Sequence, residues 1–227
     1  MKKTLLALAL GLAMTTAQAH EHEHQDGHDV SKVNGSVTAE DGQSYGDLDT
    51  VNGSINIGDG ASAEDVETVN GSVALGDGSR MKTVSTVNGS IRAGHDVQVS
   101  GDAETVNGGI TFDDGSKVGG DVATVNGRIT LHAANVTGKL TTVTGDMVVG
   151  ARSVVTGGIL IEKPTGNWNW GFGKPRIPRV VIGPNAEVKG PIVFEREAEL
   201  FVHTTAKIGA VSGGKARPYT DTLPERP

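Results

Sequence analysis

The tripeptide Val-Asn-Gly recurs along this chain at a nearly constant spacing. It starts at Val33, Val51, Val69, Val87, Val106 and Val125, and a Val-Thr-Gly variant starts at Val143. The successive spacings are 18, 18, 18, 19, 19 and 18 residues. A unit of this length cannot bury a core by itself, so it must stack on its neighbours. The period therefore restricts the chain to repeat architectures in which one coil lies on the next.

Apolar residues recur at fixed positions inside each unit. Aliphatic side chains stand four and six residues after the leading valine, as at Ile55 and Ile57, and three residues before the next one, as at Val66. Short alternating runs that end at Gly, Asn or Asp-Gly are typical of strands and turns, not of helices. We therefore predict an all-β fold, a single-stranded β-solenoid (β-helix) of about 18-residue coils over residues 31–211.

The repeated asparagine has a structural explanation. Identical amides on stacked coils can hydrogen-bond in a ladder, and Asn and Gly both tolerate a left-handed backbone at a corner. We therefore interpret Val-Asn-Gly as structural and not as a ligand-binding motif. The threonine before each valine, such as Thr50, is predicted to form an outward column. The aspartates of the Asp-Gly turns, such as Asp59 and Asp77, either bind a cation or serve the turns, and turn chemistry favours the second.

The N-terminal segment has the three parts of a secretory signal. Lys2 and Lys3 precede an uncharged apolar run, and Ala17-Gln18-Ala19 supplies the small residues of a cleavage site. We expect residues 1–19 to be a signal peptide cleaved after Ala19, and the protein to be periplasmic, secreted or on the cell surface. The run is too short to cross a bilayer, and no later segment is apolar enough, so no membrane span is expected.

The charge and the absence of cysteine make some classes of partner and anchor less favourable. Without the two signal lysines the chain has 18 Lys and Arg against 27 Asp and Glu, a net charge of −9, which disfavours nucleic-acid binding. The chain has no cysteine, so disulfides and a lipid anchor on cysteine are excluded.

The segment after the signal, residues 20–30, is rich in histidine and is predicted to be a disordered leader. Its histidines are His20, His22, His24 and His28. A free amine at His20, two backbone amides and the His22 imidazole would make a four-nitrogen set for Cu(II) or Ni(II), and the histidines also suit Zn(II). The alternative is a solvated leader whose histidines are incidental. No other cofactor is expected.

Residues 163–180 interrupt the repeat and are predicted to be a loop insertion. Trp168, Trp170 and Phe172 would share one side of an extended segment, beside the cations Lys174 and Arg176. Exposed aromatics beside cations can contact sugars or anionic polymers, and the alternative is that they pack back on the solenoid. Residues 181–211 are predicted to form C-terminal coils or a cap, and residues 212–227 a disordered tail.

The chain resembles two groups of bacterial proteins. The Val-Asn-Gly-Ser-Ile units resemble the adhesin β-solenoid family, and residues 182–192, IGPNAEVKGPI, resemble the bactofilin-like, polymer-forming proteins. This resemblance covers residues 33–211 and implies a scaffold or adhesive role. Bactofilin-like members are mostly cytoplasmic, whereas this chain has an export signal.

No catalytic constellation is visible in the sequence. His95, His132 and His203 are isolated from one another, and there is no nucleophile elbow or phosphate-binding loop. We therefore predict a non-enzymatic structural or interaction protein of the cell envelope, whose partner is an envelope polymer, an envelope protein or a second copy of itself. The alternatives are a metal-binding protein acting through the leader and a glycan binder acting through the insertion.

Overall fold

A computed structural model describes residues 28–164 and 176–220 of the chain. Within these ranges every regular element is a strand. The first half contains β1 (His28–Asn34), β2 (Val37–Ala39), β3 (Tyr45–Asn52), β4 (Ile55–Ile57), β5 (Ser62–Asn70), β6 (Val73–Leu75), β7 (Arg80–Asn88), β8 (Ile91–Ala93), β9 (Gln98–Val99), β10 (Ala103–Asn107), β11 (Ile110–Phe112), β12 (Lys117–Val118) and β13 (Val122–Thr124). The second half contains β14 (Ile129–Leu131), β15 (Asn135–Val136), β16 (Leu140–Thr142), β17 (Met147–Val149), β18 (Val154–Val155), β19 (Ile159–Ile161), β20 (Arg179–Ile182), β21 (Glu187–Val188), β22 (Ile192–Phe194), β23 (Glu199–His203), β24 (Lys207–Ile208), β25 (Val211–Ser212) and β26 (Ala216–Tyr219). No helix able to cross a membrane occurs in the described ranges.

The strands stack as the predicted β-solenoid. One sheet has ten parallel strands in the order β2-β4-β6-β8-β11-β14-β17-β20-β23-β26, one from each coil. Equivalent repeat positions face each other, since Ile55 pairs with Val37 below it and with Val73 above it. After the insertion, β20 stacks directly on β17, so the stack continues past the break in the sequence repeat.

The other sheet changes character along the stack. In the first four coils it contains one long strand per coil (β1, β3, β5 and β7), and from the fifth coil onward it contains two short ones. Val99 pairs with Met81 and Ala103 with Val84, so the fifth coil holds one more residue between these positions. That residue accounts for the first 19-residue spacing, and it turns the straight strand into a corner around Gly101.

The predicted aliphatic columns form the core. The residues four positions after the leading valine are between 0 and 1% exposed from Val37 to Met147. The positions three before the next valine, such as Leu48 and Leu140, are equally buried. Each coil contributes a thin apolar layer, and stacking removes both faces of that layer from water.

The prediction of an outward threonine column is wrong. Thr50 is 3% exposed, and the later threonines of the column are fully buried. From Thr50 to Thr124 the hydroxyls donate to glycine carbonyls of the preceding coil, as Thr86 Oγ1 does to Gly71 O at 2.9 Å. A buried hydroxyl needs such a partner. The leading valines instead lie on the outside, half-buried from Val51 to Val143 and 63% exposed at Val33. Strand alternation explains this, because it places threonine on the same side as the aliphatic residue two positions earlier.

The asparagine ladder is confirmed. From Asn52 to Asn126 each Asn Nδ2 donates to the Asn Oδ1 of the preceding coil at 2.9–3.1 Å, and Thr144 Oγ1 donates to Asn126 Oδ1 at 2.7 Å. None of the ladder asparagines has a positive φ, and among the Val-Asn-Gly glycines Gly35 has one, at +109°. The left-handed backbone occurs mainly at the Asp-Gly corner, for example at Gly60 and at Asp96.

Glycine is required beside the ladder by close approach. A Cβ on Gly89 would overlap the carbonyl oxygen of Gly71, and the same holds for the equivalent glycines of the neighbouring coils. The Val-Asn-Gly glycines therefore allow adjacent coils to approach to the strand spacing of ~4.8 Å.

Two predicted boundaries of disorder are corrected by the strands. The tail was expected to begin at residue 212, but β26 pairs with β23, and Tyr219 Oη donates to Ile182 O at 3.2 Å. The leader was expected to extend to residue 30, but β1 begins at His28 and pairs with β3. In both places an available strand edge orders polar sequence by parallel pairing.

Candidate functional site

The predicted metal site lies almost entirely outside the described residues. His20, His22 and His24 belong to the undescribed N-terminal segment, and His28 is exposed at the start of β1. In residues 28–164 and 176–220, no three or more His, Cys, Asp or Glu side chains are grouped to hold a metal ion. The leader as a metal site therefore stays a prediction.

The predicted partner-contact site is described only at one end. Trp168, Trp170, Phe172 and Lys174 lie outside the described residues. Arg176 follows them, and its Nη2 donates to Asp146 Oδ2 at 2.7 Å while the side chain remains 60% exposed. Arg176 therefore has a structural contact in addition to the proposed ligand contact.

Asp146 anchors the C-terminal base of the insertion. Its carboxylate is buried, accepts the amide of Arg179 at 3.0 Å and lies 3.4 Å from Nη2 of Arg128. Arg196 donates to Val143 O at 3.0 Å and to the carbonyl of Arg176 at 3.2 Å. These contacts hold the end of the insertion where the ladder of Val-Asn-Gly repeats stops.

The aspartates of the Asp-Gly corner act as backbone acceptors. Oδ1 of Asp41 accepts the amide of Asp59 at 2.9 Å, and Asp59 and Asp77 do the same for Asp77 and His95 at 2.8 Å. Each carboxylate thus satisfies a turn amide on the next coil. This agrees with the turn-chemistry interpretation, and no cation is needed to explain the column.

A larger group of carboxylates lies on the side of the solenoid that bears the long strands. We call it the acidic face. It comprises Asp29, Asp47, Asp65, Asp102 and Asp121 in one column and Asp49, Glu67 and Glu104 in a second column two residues later. Strand register places Glu67 against Asp49, and Glu104 against Ser85. Sequence reasoning missed this face, although an acid recurs four residues before the valine of most repeats.

The carboxylates of the acidic face disfavour one another's ionisation. Burial, followed by Asp102 and Asp121, raises the pKa of Glu104 to about 7. Burial is also the main cause of the raised pKa of Asp49 and of Glu67, and neighbouring carboxylates add to both shifts. Like charges at this spacing repel, and partial burial reduces the screening by water.

Ser85 lies in the second column, between Glu67 and Glu104. It is 5% exposed, and its Oγ has no hydrogen-bond partner of normal geometry. The hydroxyl points toward Glu67 and opposes the rise in the pKa of that carboxyl. A buried hydroxyl without a hydrogen bond is uncommon in a native fold, so this part of the acidic face requires an explanation.

The described residues offer little to support catalysis. His203 Nδ1 lies 2.9 Å from Thr205 Oγ1, and His95 Nδ1 lies 3.5 Å from Asp77 Oδ1. The Thr205 hydroxyl also accepts the amide of Asn185 at 2.9 Å, so its contact with His203 belongs to the turn. A groove of about 620 Å³ runs past Arg80, Gln98 and Lys117, and none of its lining residues is an Asp, Glu or His. No acid, base and nucleophile therefore converge in this groove.

The fold and its surfaces define the class of the protein as a parallel β-solenoid with an acidic lateral face. No protein-family model, no curated protein and no solved structure matches the chain in the three comparisons. The class therefore rests on the stacked coils themselves.

Proposed function

We propose that the protein is a non-enzymatic structural component of the bacterial cell envelope that associates end to end through its terminal coils. The observation that supports this is the state of the two ends. In the described residues β1 and β2 each pair on one side only, with β3 and β4, and β24, β25 and β26 also pair on one side only. Open parallel edges are templates for pairing with another chain.

The two ends also differ in charge. Residues 28–52 contain five Asp or Glu and one Lys, a net of −4, while residues 199–220 contain one Glu and three Lys or Arg, a net of +2. A head-to-tail contact between copies would bring these charges together. Such a contact uses two different surfaces and does not close on itself, so it leads to filaments.

The experiment is sedimentation and negative-stain electron microscopy of the mature protein over a range of concentrations. We expect species larger than a monomer that grow with concentration. The variant K207E/K215E reverses two exposed charges in the last coil and should shift the distribution to monomers. The control R92E/K117E makes the same charge change in the middle of the stack and should assemble like the wild type. A strict monomer at high concentration would contradict the proposal.

A second candidate function is contact with an anionic envelope polymer at the insertion. The observation in its favour is that Arg128 and Arg176 both pair with the carboxylate of Asp146 and are each 60% exposed, while Arg196 donates to the carbonyl of Arg176 beside them. Binding of an anionic polysaccharide should weaken in R128A and not in R80A, since Arg80 lies in the groove on another face. Equal binding by both variants and the wild type would remove this candidate.

The metal hypothesis for the leader has its own test. Cu(II) should bind the mature protein and not a variant in which His22 is replaced by Ala, because the third-position imidazole completes the nitrogen set. Equal binding by the two proteins would exclude this site.

A further inference from the structure

The acidic face carries more negative charge than the described chain neutralises. Within the described ranges Asp65 is its one member in an ion pair, with Lys82 Nζ at 3.5 Å. Several of the other carboxylates accept backbone amides through one oxygen, as Asp47 does from Asp65 and Asp121 does from Lys139. A hydrogen bond from an amide leaves the formal charge in place, so most of the face remains anionic.

The unsatisfied Ser85 hydroxyl is a second and independent observation at the same place. It is buried in the column between Glu67 and Glu104 and makes no hydrogen bond of normal geometry. A ligand that donates or accepts hydrogen bonds and carries positive charge would satisfy the hydroxyl and the two carboxylates beside it.

The arrangement of the carboxylates favours an extended ligand over a single metal ion. The described residues bring no three potential ligands to one point, but they place carboxylates on successive coils. Asp29 and Asp121 are five coil steps apart, which is about 24 Å at ~4.8 Å a step. Ligands of this form carry several cations along a chain.

We propose that the acidic face binds a lysine- or arginine-rich segment of a partner polypeptide, which lies along the solenoid axis. The flexible stems of lysine and arginine allow the cations to reach both columns, and guanidinium or ammonium groups donate to carboxylates and to the Ser85 hydroxyl alike. Charge complementarity also accelerates encounter with such a segment and makes binding dependent on salt.

The test measures binding of a fluorescent peptide of ten lysines to the mature protein by anisotropy at about 20 mM salt, where surface charges are weakly screened. The measurement is made at pH 8, above the pKa of about 7 of Glu104, so that the variant D49N/E67Q/E104Q removes three charges from the second column. The control D41N/D59N/D77N removes three charges from the Asp-Gly corner of three consecutive coils, the first two of which also carry Asp49 and Glu67. Asparagine keeps the amide-accepting oxygen at the corner, so the control retains those hydrogen bonds.

We expect the Kd for the peptide to rise at least tenfold in D49N/E67Q/E104Q and by no more than about twofold in the corner control. Equal losses in the two variants would show that only net charge matters and would overturn the proposal. So would the absence of peptide binding to the wild type, or tight binding of Ca²⁺ alone in its place.

Two further measurements keep the test decisive. Hydrogen–deuterium exchange of the wild type should show that the peptide protects β3, β5 and β7 more than β4, β6 and β8, and the opposite pattern would contradict the proposal even if a variant misfolds. The K207E/K215E variant should bind the peptide like the wild type. Its behaviour separates this lateral site from association through the ends.

Discussion

Replacing Glu104 with Gln should stabilise the protein at neutral and alkaline pH and not at acidic pH. Glu104 is 8% exposed, and burial followed by Asp102 and Asp121 raises its pKa from 4.5 to about 7. Near pH 4 the side chain is protonated in both the folded and the unfolded chain, so the native state has no penalty. Between these two pKa values the unfolded chain releases its proton while the folded chain keeps it, and stability falls as pH rises.

The size of the effect follows from the pKa difference. One pKa unit corresponds to ~1.4 kcal/mol, so the rise to about 7 represents at most about 3 kcal/mol of lost stability at pH 8. Glutamine has nearly the same shape and no charge. The gain in free energy of unfolding of E104Q should therefore grow from near zero at pH 4 to about 2–3 kcal/mol at pH 8.

The assay is urea unfolding followed by circular dichroism at several pH values, for the wild type and for E104Q. The matched control is E40Q, which removes a charge from an exposed position and should change stability by less than about 0.5 kcal/mol at every pH. If the gain in free energy of unfolding of E104Q were the same at pH 4 and pH 8, or if E104Q were less stable than the wild type at pH 8, the conclusion that the fold disfavours the ionised form of Glu104 would be refuted.

Three further predictions concern the backbone of the stack, all measured as urea midpoints. Asn88→Ala removes two ladder hydrogen bonds and should cost about 1–2 kcal/mol, roughly twice the cost of Asn34→Ala, which removes one at the end of the ladder. Equal costs would contradict a ladder in which each inner amide makes two bonds. Gly89→Ala should destabilise the protein by about 3 kcal/mol or more, because the new Cβ overlaps the preceding coil. Gly78→Ala should cost about 1 kcal/mol, because the Cβ has open space there and only the φ of +67° is unfavourable. The reverse order of the two costs would be inconsistent with the stacking. Thr86→Val should cost about 1–2 kcal/mol because a buried hydrogen bond is lost, and a neutral result would favour an outward side chain.

Much of the fold could be predicted because equivalent residues of successive repeats have the same environment. A column of Asn at an 18-residue spacing can satisfy its amides only if the coils stack in register, and Ile55, Val73 and Ile91 must then share one apolar column. The orientation of threonine was also available in principle. Leu48 and Thr50 are two residues apart in one strand, and the parity of that strand places both inside.

The acidic face was only partly accessible from sequence. The acids two residues before the valines, such as Asp49 and Glu67, are visible as a pattern, but their partial burial is not. Glu104 shows this best, because its burial and the charges of Asp102 and Asp121 that act on it both depend on how neighbouring coils stack. The unsatisfied hydroxyl of Ser85 likewise emerges only when three coils are stacked.

The sequence by itself determined the coil length, the inward aliphatic columns and the asparagine ladder, because each follows from a residue type repeated at a constant interval. Only the tertiary structure decided which polar side chains lose their solvent, where one sheet splits into two short strands, and that the described chain ends in open strand edges. These properties depend on contacts between coils and on a one-residue change in spacing. Their effect on energy cannot be calculated from a local sequence pattern.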